Sequence, residues 1–230
     1  MWLFPLAAAV VSGTFSGFVG SQFWRRRRPN LLAWATALAM FAIASAAATI
    51  GMATGWTPAW FRVYYLFGAI VNVPVLGLGT IYLLVEKRVA HVCAMAVLVA
   101  SVIATIAVFH AGLKPGAARA LATNGIPAGH SVMPTALRMM ARYYSFVGFF
   151  VVVGGALWSA RRLARQRQDH LKRLALANGF IAGGTFVVAL GSGFAFYGQG
   201  WPFALGLLVG VTMMFWGFLK TRPTSRRRAA

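Results

Sequence analysis

Seven segments of this chain are each apolar over the roughly 20 residues that a helix needs to cross bilayer hydrocarbon. They lie near residues 2–23, 31–52, 62–85, 89–112, 137–160, 174–197 and 201–219. Inside hydrocarbon each backbone N–H and C=O must find its partner within the protein, which leaves the helix as the structure for isolated apolar runs of this length. The expectation is therefore an all-α fold, a polytopic membrane protein whose 230 residues form a single seven-transmembrane-helix bundle. Composition agrees, with 60% hydrophobic and 10% charged residues and a mean hydropathy of +0.72, against about 25% charged in a soluble domain. The first segment is expected to stay as an anchor, because no basic region precedes it and Arg25 to Arg28 follow it directly.

The chain carries 22 Lys+Arg against two acids, Glu86 and Asp169. Seventeen of the cations cluster at Arg25–Arg28, at Lys87 and Arg88, in the 161–173 loop and in the tail from Lys220, all on one side of the expected spans. Arg62, Lys114, Arg119, Arg138 and Arg142 fall on the other. Basic residues accumulate on the cytoplasmic side, so the expected topology is N-out and C-in, in a bacterial cytoplasmic membrane. The excess charge reads as an orientation signal with attraction to anionic lipid headgroups, not as a nucleic-acid surface. The basic inner loops and tail also suit a cytoplasmic or membrane protein partner.

Helices one to three and five to seven share an orientation under this topology, and each triplet has a basic loop after its first helix. The short outer loop before each third helix carries Gly-Trp near a proline, at Gly55-Trp56-Thr57-Pro58 and Gly200-Trp201-Pro202. This pattern suggests a 3+1+3 parallel repeat. The layout, with Asn72 and Pro74 in the third helix, resembles SWEET-type sugar facilitators and more distantly microbial rhodopsins and the seven-helix sensor modules of bacterial histidine kinases. The resemblance implies a seven-helix transporter or sensor. A rhodopsin pigment would need a lysine in mid-helix, and the lysine near the seventh span, Lys220, stands at its cytoplasmic end.

No carboxylate falls inside a span, although buried acids usually mark proton relays and cation sites. That argues against a proton-coupled exchanger, an Asp/Glu metal centre and paired-carboxylate hydrolysis. His91 and His170 are expected on the inner side and His110 and His130 on the outer, at spacings that match no metal motif. Ser192, between two glycines, has no histidine after it to act as a base. The glycine pairs 13/17, 179/183 and 206/210 read as helix-packing surfaces, and the lone Cys93 as a core residue. No catalytic residue, metal ligand or cofactor is expected.

The binding candidates are polar residues where few are expected. Asn72 lies two residues before Pro74, which removes a helical hydrogen bond and kinks the chain, and an amide in lipid needs a partner. Arg138 and Arg142 share a helix face at i, i+4, and Arg62 heads the third span with Tyr64, Tyr65 and Trp56 nearby. Together they suggest an outer vestibule for an anionic ligand or lipid headgroup, with the 112–134 loop lying over its mouth. The expected function is a non-enzymatic membrane subunit that binds or senses a small molecule or lipid; the alternative is a small facilitative transporter with a mid-membrane site near Asn72.

Overall fold

The computed structural model describes residues 2–164, 169–196 and 200–220. Residues 165–168, 221–230 of the basic tail and the side chains of Asp169, His170 and Ser192 lie outside the described residues. Among the described residues the chain is helical, without strands. Five helices are long and apolar enough to cross a membrane: Leu3–Arg26, Pro29–Thr54, Pro58–Leu84, Lys87–His110 and Thr135–Arg162.

α1 (Leu3–Arg26) ends at Arg27, which takes a left-handed conformation with φ 50°. Arg28 is extended, as a residue before proline must be, and Pro29 opens α2 (Pro29–Thr54) at a position whose N–H would be orphaned anyway. Gly55 (φ +98°) ends α2. The Thr57 hydroxyl then accepts from the Trp60 N–H at 3.2 Å, and Pro58 starts α3 (Pro58–Tyr65). This cap sets the helix start four residues before the expected Arg62.

The third span is interrupted. A π-helical turn, Leu66–Ile70, joins α3 to α4 (Asn72–Leu84), with the Val71 N–H reaching back five residues to Leu66. Pro74 has no N–H to give to the turn above it, so carbonyls there lose their helical donors. One is satisfied from outside: the Ser145 hydroxyl of α8 (Thr135–Ala164) donates to the Ala69 carbonyl at 2.9 Å. Gly148 of α8 lies against the Val73–Pro74 backbone, Gly77 of α4 faces Gly148, and Gly155 faces Thr80. Contact positions rise together along both chains, so α4 and α8 run parallel.

α5 (Lys87–His110) returns along the outside of α4 and the π turn and is the least buried of the five long apolar helices. The other helices close a ring in which α1 packs on α2, α2 on α3 and α4, α4 on α8, α8 on α9 (Asp169–Phe196), α9 on α10 (Gly200–Lys220), and α10 on α1. α9 and α10 meet backbone to backbone: a Cβ at Gly184 would stand 2.5 Å from the Gly210 carbonyl oxygen, and one at Gly206 3.2 Å from Gly191 Cα. The expected 179/183 surface is corrected accordingly. Gly179 and Gly17 face open space, and Gly183 touches only the flexible end of Met213.

Two short helices, α6 (Ala117–Leu121) and α7 (Gly129–Val132), lie between α5 and α8. Their apolar side chains are part of the core: Ala117, Leu121, Ile126, Val132 and Met133 pack with Trp56, Phe61, Tyr65 and Leu66. The segment expected to lie over an open mouth instead fills this end of the bundle.

Candidate functional site

The end of the bundle around residues 111–134 gathers cations and no acid, since Glu86 and Asp169 both stand at the opposite ends of their helices. Two of those cations are taken up in holding the short-helix segment. Arg62 donates through Nη2 to the Ala111 carbonyl at 2.9 Å, capping the C-terminus of α5 where the helix dipole favours positive charge. Its Nε is buried with no acceptor. Lys114 donates through Nζ to the His130 carbonyl at 3.1 Å, and its N–H bonds to Val132.

Arg138 and Arg142 are different. They occupy the first turns of α8, half-buried and exposed respectively, and both stand close enough to Tyr65 for their charges to act on its hydroxyl. Among the described residues neither guanidinium has a hydrogen-bond partner, and neither is sealed from solvent. Tyr65 itself is buried and stacks on Phe61 at 5.8 Å. Its ring is approached by Gly129, where a Cβ would come within 2.9 Å, so only glycine allows α7 to sit this close. The result is two guanidinium groups without hydrogen-bond partners, i, i+4 on α8 and within electrostatic reach of a phenol, an arrangement that suits a phosphate or carboxylate.

Tyr64 does not line an open vestibule, and Trp56 is held by its neighbours with one side toward a surface cleft. Trp56 packs edge-on to Phe61 and Tyr64 at 5.9 and 5.6 Å, and its Nε1–H donates to the Gly125 carbonyl at 2.7 Å. The rings form the floor under the 111–134 segment. On the surface beside them is an open cleft of about 590 Å³, lined by Trp56, Leu113, Leu121 and small residues, with Lys114 as its charged member.

Asn72 is remote from these groups, at the first turn of α4. It is buried at 7% exposure, and its amide makes no hydrogen bond among the described residues. The structure thus brings Tyr65, Arg138 and Arg142 together, directs Arg62 toward α5, and leaves Asn72 apart. His110 bonds through Nδ1 to the Ile106 carbonyl of its own helix, and no group of three His, Cys, Asp or Glu that could hold a metal occurs among the described residues.

Sequence reasoning missed Gly129, Ser145 and Gly148. Ser145 and Gly148 belong to Ala141-Arg-Tyr-Tyr-Ser-Phe-Val-Gly148, a stretch similar to Phe61-Arg-Val-Tyr-Tyr-Leu-Phe-Gly68. The two stretches meet where the Ser145 hydroxyl donates to the Ala69 carbonyl, one residue past Gly68, and Arg142 of one is within electrostatic reach of Tyr65 of the other. Comparison with protein-family models, curated proteins and solved structures finds no match for this chain.

Proposed function

We propose that this chain is a non-enzymatic, seven-span subunit of a bacterial cytoplasmic membrane, N-out and C-in, that binds an anionic headgroup or small anion at its outer face. The observation that carries the reading is the pair Arg138 and Arg142, unpartnered beside Tyr65 at the end of the bundle with no carboxylate. The count of seven is supported by α9 and α10, 28 and 21 residues long, each with an apolar stretch, Gly179–Gly191 and Ala204–Leu219. Orientation rests on the charge asymmetry. A 3+1+3 arrangement is supported by the ring, which omits α5 and pairs α4 with α8 and α10 with α1. Binding is passed to a cytoplasmic or membrane partner through the basic inner loops.

A second reading, facilitated transport past Asn72, is favoured by an amide without a hydrogen bond, on a buried residue but not itself sealed, beside a broken helix, the form that many transporter sites take.

The test is binding of soluble dihexanoyl phosphatidylglycerol to the detergent-purified protein at two salt concentrations. A charge-assisted contact contributes about 1.5–3 kcal/mol, so Arg142→Gln should weaken binding by roughly one to two decades. Arg142→Lys should fail nearly as badly, because the planar fork is lost. Equal binding by wild type and both variants would eliminate the site.

A further inference from the structure

The seam between the interrupted third span and α5 carries features that the Arg138–Arg142 site does not use. A groove of about 230 Å³ opens there, lined by Met40 of α2, Phe67 and Val71 at the π turn, and Ser101, Thr105 and Ile106 of α5. Its hydroxyls have no free proton to donate to a guest. Ser101 donates to the Val97 carbonyl at 2.7 Å and Thr105 to the Ser101 carbonyl at 2.8 Å, both within their own helix. The groove is chemically hydrocarbon.

Its depth is fixed from both walls. Arg62 bridges the same two helices at the Ala111 carbonyl. Phe67 and Val71 follow Arg62 by five and nine residues, and Ile106 to Ser101 precede Ala111 by five to ten. At about 1.5 Å per residue, both walls place the groove roughly 7–15 Å below the guanidinium. With Arg62 at the headgroup boundary, where arginines snorkel, that interval would fall in the hydrocarbon of one leaflet, about half of a 30 Å core. Arg62 has one nitrogen committed to Ala111 and Nε buried without an acceptor, while Nη1 is neither bonded nor sealed. The sealed Nε is out of a headgroup's reach, but Nη1 is open to one, and with no acid at this end of the protein the Arg62 charge has no anionic partner within the chain.

We infer that this seam is a binding site for a single anionic phospholipid of the leaflet at the Arg62 end, with one acyl chain in the groove and the headgroup phosphate on Arg62. Zwitterionic lipid shares the tail but has its phosphate offset by the ammonium. The site therefore selects for net negative charge. The π turn matters to it directly, because the turn sets the positions of Phe67 and Val71 along one wall.

Native mass spectrometry of the full chain in detergent tests this, with phosphatidylglycerol and phosphatidylcholine of identical chains as probes. In an Arg142→Gln background, which removes the other proposed phosphatidylglycerol site, the chain should retain one phosphatidylglycerol with at least about tenfold preference over phosphatidylcholine, the lower end of a charge-assisted contact. Thr105→Trp, at an exposed position of α5 that lines the groove, should reduce retention of that lipid about tenfold or more. Leu98→Trp, also exposed on α5 but outside the groove, should leave it unchanged. Arg62→Gln should bring phosphatidylglycerol down to the phosphatidylcholine level. Because the Arg138–Arg142 site is already disabled in this background, failure here and failure of the Arg138–Arg142 reading are separable. Equal retention of the two lipids by the Arg142→Gln chain, or full retention when Thr105→Trp is added to it, would overturn the inference.

Discussion

Gly148→Ala is the sharpest perturbation the bundle offers. A Cβ at this position would lie 2.6 Å from the Val73 carbonyl carbon and oxygen and 2.8 Å from the Pro74 nitrogen. All three are backbone atoms of a segment already held by a π turn and a proline, so no side chain can swing aside. Ordinary contact begins near 3.4 Å, and α8 must withdraw from α4 by about 0.8 Å to reach it. Overpacking of this kind costs about 1–3 kcal/mol. The same movement stretches the Ser145–Ala69 hydrogen bond from 2.9 Å beyond the 2.5–3.0 Å normal for O–H···O, and an interhelical bond in a membrane contributes about 0.6–2 kcal/mol. The expected loss is therefore about 1.5–5 kcal/mol, read as denaturant-induced unfolding in detergent micelles. Gly154→Ala, exposed and with nothing within 4 Å, is the control and should be silent. A double-mutant cycle adds a second check: Ser145→Ala should be cheaper in the Gly148→Ala background than in wild type. Equal stability of Gly148→Ala and Gly154→Ala would refute the account of the α4–α8 contact.

The α9–α10 interface makes a parallel claim. Gly184→Ala and Gly210→Ala each drive a Cβ to within 2.7 Å of the facing carbonyl oxygen and should both destabilise, by less together than the two losses added, whereas Gly179→Ala should leave the melting curve in place. Trp56→Phe removes the Nε1–H to Gly125 bond, worth about 0.5–1.5 kcal/mol, and should speed proteolysis of the 111–134 segment; an unchanged cleavage rate would argue against that bond as its tether. Reporter fusions after residues 28 and 170 should report cytoplasm and one after residue 120 the outside. A cytoplasmic signal after 120 would reverse the proposed topology.

Much of this architecture is legible in the chain because the bilayer makes hydropathy and length sufficient to find long apolar helices. Their ends are less so. Thr57-Pro58 is a readable start signal, a hydroxyl cap before a proline, yet a search for apolar residues begins at Arg62 because the first turn is polar. Pro74 announces a lost hydrogen bond, but its resolution as a π turn depends on Ser145 and Gly148 of a helix about 70 residues away in sequence. The glycine surfaces are legible in part for a related reason: i, i+4 spacing finds 206/210, which does pack against α9, but on α9 it picks 179/183, whereas the neighbouring helix decides which face turns inward and selects Gly184. The 111–134 segment looks like a lid by its Pro and Gly content. Its scattered Leu121, Ile126, Val132 and Met133 are what dock it, and they have no periodicity to betray them.

The ring closes through two seams between the proposed triplets, and they are built from opposite chemistry. At α4–α8 the contact is glycine against backbone, through Gly77, Gly148 and Gly155, with a hydroxyl bridging to the π turn. At α1–α10 it is an aromatic layer, Phe15 and Phe18 against Phe215 and Phe218, with ring centroids 4.8 to 6.2 Å apart. A duplicated ancestor would begin with equivalent seams, so the difference assigns them different mechanical roles. Backbone packing has a single deep minimum and resists separation, while tilted phenyl rings can slide between several comparable arrangements. Relative motion of the triplets should therefore hinge at α4–α8 and open at α1–α10. Phe215→Leu forfeits about 0.5–1.5 kcal/mol for each aromatic pair it removes and should still fold, whereas Gly148→Leu should not. Cysteines placed across each seam, in a Cys93→Ser background, and read by spin-label distances should show a broader distribution at α1–α10 than at α4–α8. Equal widths would mean that the bundle moves as one body and that the seams differ in composition only.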